Sequence, residues 1–114
     1  MIKNRKPIYE DTVECLKEFD LETQERACAW MKKYLIPRKS PNRKYSGYSL
    51  KHRLQAGTDI YLYTGAFKAL MIRCGFETVK PDDGDCFFCI SDRSPGLDWR
   101  LPRGYAKNDV VPKL

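Results

Sequence analysis

At 114 residues, with 42% hydrophobic and 32% charged side chains, the chain is long enough for one modest core and too ordinary in composition for general disorder. No apolar run approaches the roughly 20 residues of a membrane span, and the basic opening from Met1 to Lys6 is not followed by the apolar stretch of a secretory signal, so the expectation is a single soluble, cytoplasmic domain. The net charge of +6 is unevenly placed: residues 1–31 sum to −2, residues 32–80 to +9 and residues 81–114 to −1, which sets a polyanion-attracting field on the middle of the chain.

Residues 1–10 are polar and loose in pattern, and residues 11–19 carry a short helical spacing through Val13, Leu16 and Phe19. Asp20 is positioned to cap a longer helix from Leu21 to about Tyr34, with Glu22 and Glu25 in its first turn and Lys32 and Lys33 in its last. Pro37 stops it. Residues 37–44 hold two prolines, four cations (Arg38, Lys39, Arg43, Lys44) and no large apolar side chain. That composition predicts a connector that stays out of the core and can lie along a phosphate backbone, or simply a structureless basic link.

A second helix is predicted over residues 46–56, capped by Ser46 and closed by Gly57, with Leu50 and Leu54 inward and Lys51, His52, Arg53 and Gln55 toward solvent. A third is predicted over residues 64–74, capped by Thr64 and closed by Gly75; Ala66, Phe67, Leu70, Met71 and Cys74 form its buried face and Lys68, Ile72 and Arg73 lie off it. Between them Ile60 and Leu62 alternate with Tyr61 and Tyr63, which predicts a short strand. Residues 76–80 and 86–91 then read as the strands of a hairpin turning at 81–84 through an Asp-Gly signal. Residues 97–114 lose all periodicity and read as an extended tail, docked through Trp99 and Tyr105.

Helix, helix, hairpin in this order is the layout of a winged helix, so the predicted fold is α+β and winged-helix-like: N-terminal helices, a helix-turn-helix-like pair, a β-hairpin and an extended C-terminal tail. In such a fold the second motif helix enters the major groove of duplex DNA and the wing touches the backbone. Here Thr64, Lys68 and Arg73 would face the groove, and Arg38, Lys39, Arg43, Lys44, Lys51 and Arg53 would hold phosphates. The third helix has one lysine, one arginine and no Asn or Gln for base reading, and the hairpin tip Asp82, Asp83, Asp85 is acidic, both departures from a DNA-contacting wing. Aromatic residues interleaved with these cations can also stack single-stranded bases, although most sit at core spacing.

Five cysteines (Cys15, Cys28, Cys74, Cys86, Cys89) without a secretory context point to free thiols rather than a disulfide framework. Cys86 and Cys89 have the spacing of a zinc knuckle, but two phenylalanines between them in a strand-like run send the sulfurs to opposite faces. His52 is the single histidine, and no paired carboxylates, P-loop or dinucleotide fingerprint is present. The expectation is a protein with no catalytic residue, no metal and no cofactor.

The run Tyr48-Ser49-Leu50-Lys51-His52, followed by Tyr61-Leu62-Tyr63-Thr64-Gly65-Ala66-Phe67 and Gly75-Phe76, resembles a pattern of small bacterial and phage proteins. In these, a Ser-Tyr-x-Leu-Lys-His helix precedes a Tyr-x-x-Asn/Thr-Gly-x-Phe helix and a Gly-Phe exit. The resemblance covers about residues 45–77, and Gly47 and Thr64 depart from the commoner residues of the pattern. It implies a phage or mobile-element setting and a small accessory role, and it carries over no catalytic residue. The function expected from the chain is therefore nucleic-acid binding, most directly of duplex DNA. The alternative is a protein-interaction module, a phage inhibitor or adaptor, using the basic face on an acidic partner.

Overall fold

Asp20 stands in extended backbone and its Oδ1 accepts the Thr23 N–H at 2.8 Å, which opens helix α1, Leu21–Tyr34. The computed structural model describes residues 16–79 and 87–109. Helix α2, Gly47–Thr58, opens the same way, with Ser46 Oγ accepting the Ser49 N–H at 3.2 Å. Helix α3, Thr64–Arg73, has Tyr63 at its cap position with no side-chain bond, so Thr64 is the first helical residue rather than the expected cap. It ends in a Schellman closure: Gly75 at φ +98° donates to Ile72 O and Phe76 donates to Met71 O. The three helices pack on one another around Leu50, Leu54, Phe67 and Met71. Among the described residues no helix is long and apolar enough to cross a membrane.

The strand component is small. Strand β1, Thr78–Val79, pairs antiparallel with β2, Phe87–Phe88, in the register Thr78↔Phe88 and Val79↔Phe87. The Phe88 ring meets Phe67 of α3 edge-on at 6.5 Å, which fixes this sheet on the helical core. The fold is thus mostly helical with a short two-stranded sheet. The expected turn at 81–84 with its acidic tip, Cys86, Cys15, the helical spacing at 11–15 and the end of the tail at 110–114 lie outside the described residues.

Three expectations are corrected here. Residues 59–63 form no strand, although Ile60 and Leu62 are buried. The free edge of β2 is instead taken by the connector: bridges join Pro37 to Ile90 and Ser46 to Phe87, Arg38 N–H donates to Cys89 O and Asn42 N–H to Phe88 O, both at 2.9 Å. The connector therefore packs, because backbone pairing needs no apolar side chain. Asn42, 1% exposed, anchors it: its Nδ2 donates to Ile90 O and Asp92 Oδ1 while its Oδ1 accepts the Lys44 N–H.

The second correction concerns sulfur. Cys28 of α1 and Cys74, the residue after α3, form a disulfide, with Cα atoms 6.1 Å apart and 46 residues of separation. Cysteine counting in the sequence cannot register the approach of two helix faces so far apart in the chain. Cys89 is the free, buried thiol among the described residues.

The third concerns the tail. It is a 3₁₀ turn, Pro95–Leu97, followed by turns through residues 99–108 rather than extended chain. It docks on the C-terminal end of α2, where helix carbonyls lack intrahelical donors: Gly104 N–H reaches Ala56 O at 2.7 Å and Ala106 N–H reaches Gly57 O at 2.8 Å. Gly57 lies inside α2 instead of closing it; Asp59, at φ 66°, is the left-handed closing residue. A Cβ at Gly57 would stand 2.8 Å from the Tyr105 ring. That ring is held by Trp30 Nε1, which donates to Tyr105 Oη at 2.8 Å, and by Tyr34, edge-on at 5.1 Å. Asp109 closes the segment by accepting from Tyr34 Oη and Lys33 Nζ, contacts that draw its carboxyl below the usual range.

Two outcomes are expected. Gly57→Ala gains at most about 1 kcal/mol of helix propensity but forces a well-held ring aside at a cost of about 1–3 kcal/mol, so thermal unfolding of the variant moves to lower temperature. Alkylation without reductant leaves Cys28 and Cys74 unmodified by mass spectrometry, and opening this 46-residue link with reductant costs about 4 kcal/mol on a chain-entropy basis, read as a lower denaturant midpoint.

Candidate functional site

The nine residues expected to contact nucleic acid separate into three groups. Lys39, Arg43 and Lys44 are exposed on the connector, and Arg38 beside them is half-buried. Arg38 is turned back on its own loop, with Nε donating to Ser40 O at 2.9 Å and Nη2 to Pro41 O at 3.0 Å. Arg43 lies over the Phe87 ring at 5.6 Å, and Lys44 Nζ meets Asp92 at 3.1 Å. Because Asn42 ties this backbone into the sheet, the strip is presented from an ordered segment.

The second group is at the far end of α3. Arg73 is exposed and donates to Gln24 Oε1 of α1 at 3.2 Å, and Thr64 is half-buried at the opposite end of the helix. Neither joins the connector strip.

The third group is buried, which corrects the expected solvent exposure of Lys51, Arg53 and Lys68: they are 6%, 6% and 2% exposed. The residues from Ala66 to Met71 are all buried, so the middle of α3 has no open flank to lay in a groove and Lys68 cannot reach one, while Ile72 and Arg73 are exposed at its end. Helical periodicity marks the strongest apolar face, but the middle turns of α3 are enclosed on their other faces too. On α2 the reason is aromatic cover. Lys51 Nζ lies 5.2 Å from the Tyr48 ring centre and 5.0 Å from that of Tyr61. The Arg53 guanidinium stacks on Trp99 at 4.0 Å and on Tyr45 at 5.0 Å, and Nη1 donates to Leu97 O at 2.6 Å. Burial lowers the Arg53 pKa from its ordinary value, with Tyr45 and Tyr105 acting in the opposite direction. Its Nε is buried without a hydrogen-bond partner among the described residues.

Above this buried arginine the surface opens into a groove of about 640 Å³ between α2 and the C-terminal segment. Tyr48, His52 and Gln55 line it from the helix, with the His52 ring edge-on to Tyr48 at 4.6 Å; Trp99 and Arg103 line it from the tail. Trp99 and Tyr48 are 63% and 59% exposed, large values for aromatic rings on a small domain. Residues 48, 52 and 55 share a helix face at i, i+4 and i+7, a signal present in the sequence. The tail half of the groove had no such signal, since residue spacing does not show where an aperiodic segment docks.

Among the described residues no group of three or more His, Cys, Asp or Glu converges as a metal site. The Cys89 thiol is pushed up by burial, with Glu77 adding to the effect, and so is held in its protonated form.

Replacing Arg53 removes the donor to Leu97 O and the cation behind Trp99 together. Arg53→Ala is expected to destabilise the fold by about 1–3 kcal/mol and to red-shift tryptophan emission as the indole loses its backing; Arg53→Lys, without the planar fork, recovers only part of both.

No protein-family model, curated protein or solved structure matches this chain.

Proposed function

We propose that the protein binds nucleic acid, gripping the phosphate backbone with Lys39, Arg43 and Lys44 on the connector, with Arg38 at their base. The observation that carries this reading is the anchoring of the strip. Asn42 is buried and bonded to Ile90 O and Asp92, so the cations on either side of it are displayed from fixed backbone rather than from a loose tether. Preordered cations lose less entropy on meeting phosphate, and the ions they displace give the binding its driving force. The +9 charge of residues 32–80 supplies the long-range attraction.

Duplex DNA is the first target to test, because helix, helix and sheet follow in winged-helix-like order, in keeping with a small accessory protein of bacterial or mobile-element origin. With α3 enclosed, the contact surface in this reading is the connector and the outer face of α2. Thr64, Lys68 and the distant Arg73 take no part. The role is binding, without catalysis.

Fluorescence anisotropy with a labelled mixed-sequence oligonucleotide tests this directly. Affinity is expected to fall with salt at a log–log slope of about −3 to −4, the value for roughly four phosphate contacts. Lys39→Glu with Arg43→Glu is expected to abolish binding at physiological salt while the melting temperature stays near that of the parent, both side chains being exposed. Absence of binding at low salt, or binding indifferent to the double reversal, rejects the reading.

A further inference from the structure

We propose that the groove between α2 and the C-terminal segment takes an unpaired nucleobase, stacked on the outer face of Trp99, with the attached phosphate against Arg103. This rests on the nucleic-acid reading and adds to its backbone contacts a site for single-stranded chains or for flipped and looped-out bases.

The state of the Trp99 ring carries the argument. One face is covered by the Arg53 guanidinium at 4.0 Å, yet the residue remains 63% exposed. A cation fixed on one face draws electron density from the ring, so the outer face is poorly suited to a second cation and well suited to stacking with an aromatic base. Tyr48 is similarly backed, with Lys51 Nζ 5.2 Å from its ring centre. An exposed indole on a surface that uses aromatics elsewhere to cover its cations is a platform with its support already in place.

The polar lining has the matching sign. Arg103 lines the groove and, among the described residues, no carboxylate does. The neighbouring acid, Asp98, is held by Arg100 through two contacts at 3.0 and 3.1 Å. Arg103 makes no ion pair or hydrogen bond among the described residues, so its charge is open to a phosphate. The Gln55 amide, also without a side-chain partner among the described residues, offers both donor and acceptor to a base edge. At about 640 Å³ the space falls within the range of small-ligand sites.

The groove also continues the proposed backbone path. Lys44 ends the connector strip, Tyr45 follows it with its ring 5.0 Å from the Arg53 guanidinium, and α2 begins two residues later. Bases paired and stacked within a duplex cannot lie on Trp99, so the groove discriminates between strand states.

Two measurements test this on the intact protein. Trp30 is 2% exposed, so quenching of the accessible tryptophan signal reports on Trp99: oligo-dT is expected to quench it, and a blunt mixed-sequence duplex is not. In anisotropy titrations Trp99→Ala is expected to weaken oligo-dT by about fivefold to a hundredfold, the range for loss of one stacked base, and to leave the duplex nearly unchanged. Should that variant melt early, Gln55→Ala, a surface change, is expected to lower the single-strand preference alone. Oligo-dT that binds without quenching, or Trp99→Ala that weakens both strand states equally, overturns the groove assignment while leaving the backbone reading intact. Failure of both oligonucleotides to bind the parent protein removes the backbone reading, and this inference with it.

Discussion

The close approach of Tyr105 to Gly57 is the contact on which the rest of the surface depends. The tail has no periodic apolar face of its own, so it is ordered by capping the carbonyls of Ala56 and Gly57 and by seating one ring where a side chain would otherwise be. The Trp30–Tyr105 hydrogen bond then ties the tail to α1 as well as to α2. With the tail pinned at residues 104–106, the turn before it brings Leu97 O to Arg53 and lays Trp99 on the guanidinium. The groove exists because an aperiodic segment is held at a glycine.

The buried cations show how a basic sequence can give a smaller basic surface than its charge suggests. Isolated burial of an ammonium or guanidinium is costly, and here the cost is offset by ring faces: two for Lys51 and two for Arg53. These contacts order the aromatic surface of α2 instead of leaving the cations to meet a ligand. Among the described residues, exposed cations remain on the connector and at Arg73, Arg93 and Arg103. A charge sum over residues 32–80 identifies the field but not which side chains emit it.

The connector illustrates the same limit from the opposite side. Prolines and cations with no large apolar residue imply a segment excluded from the core, yet it forms the third edge of the small sheet through Arg38, Asn42 and Ser46. The single buried residue that makes this possible is polar, and its role is to supply hydrogen bonds to Ile90, Asp92 and Lys44. Hydrophobic patterning has no means of marking such a residue. The disulfide is a parallel case: Cys28 and Cys74 each fit a helix face, and only the packing of α1 on α3 brings them within bonding reach.

Local physical chemistry in the sequence determined where α1 and α2 begin and how α1 and α3 stop, but not the cap of α3 or the close of α2. Asp20 and Ser46 cap as their side chains require, α1 runs from Leu21 to Tyr34, and Gly75 closes α3 in the left-handed region. The apolar faces of α2 and α3, and the strand pair between Thr78 and Phe88, were also legible, because each follows from spacing within a few residues. Tertiary structure alone decided which edge β2 offers to the connector, which cations are sealed under rings, and where Trp99 and Arg103 come to rest. The connector pairing and the docking of the tail depend on groups separated by about 40 residues or more in the chain, as Arg53 is from Leu97, and no local propensity encodes that distance.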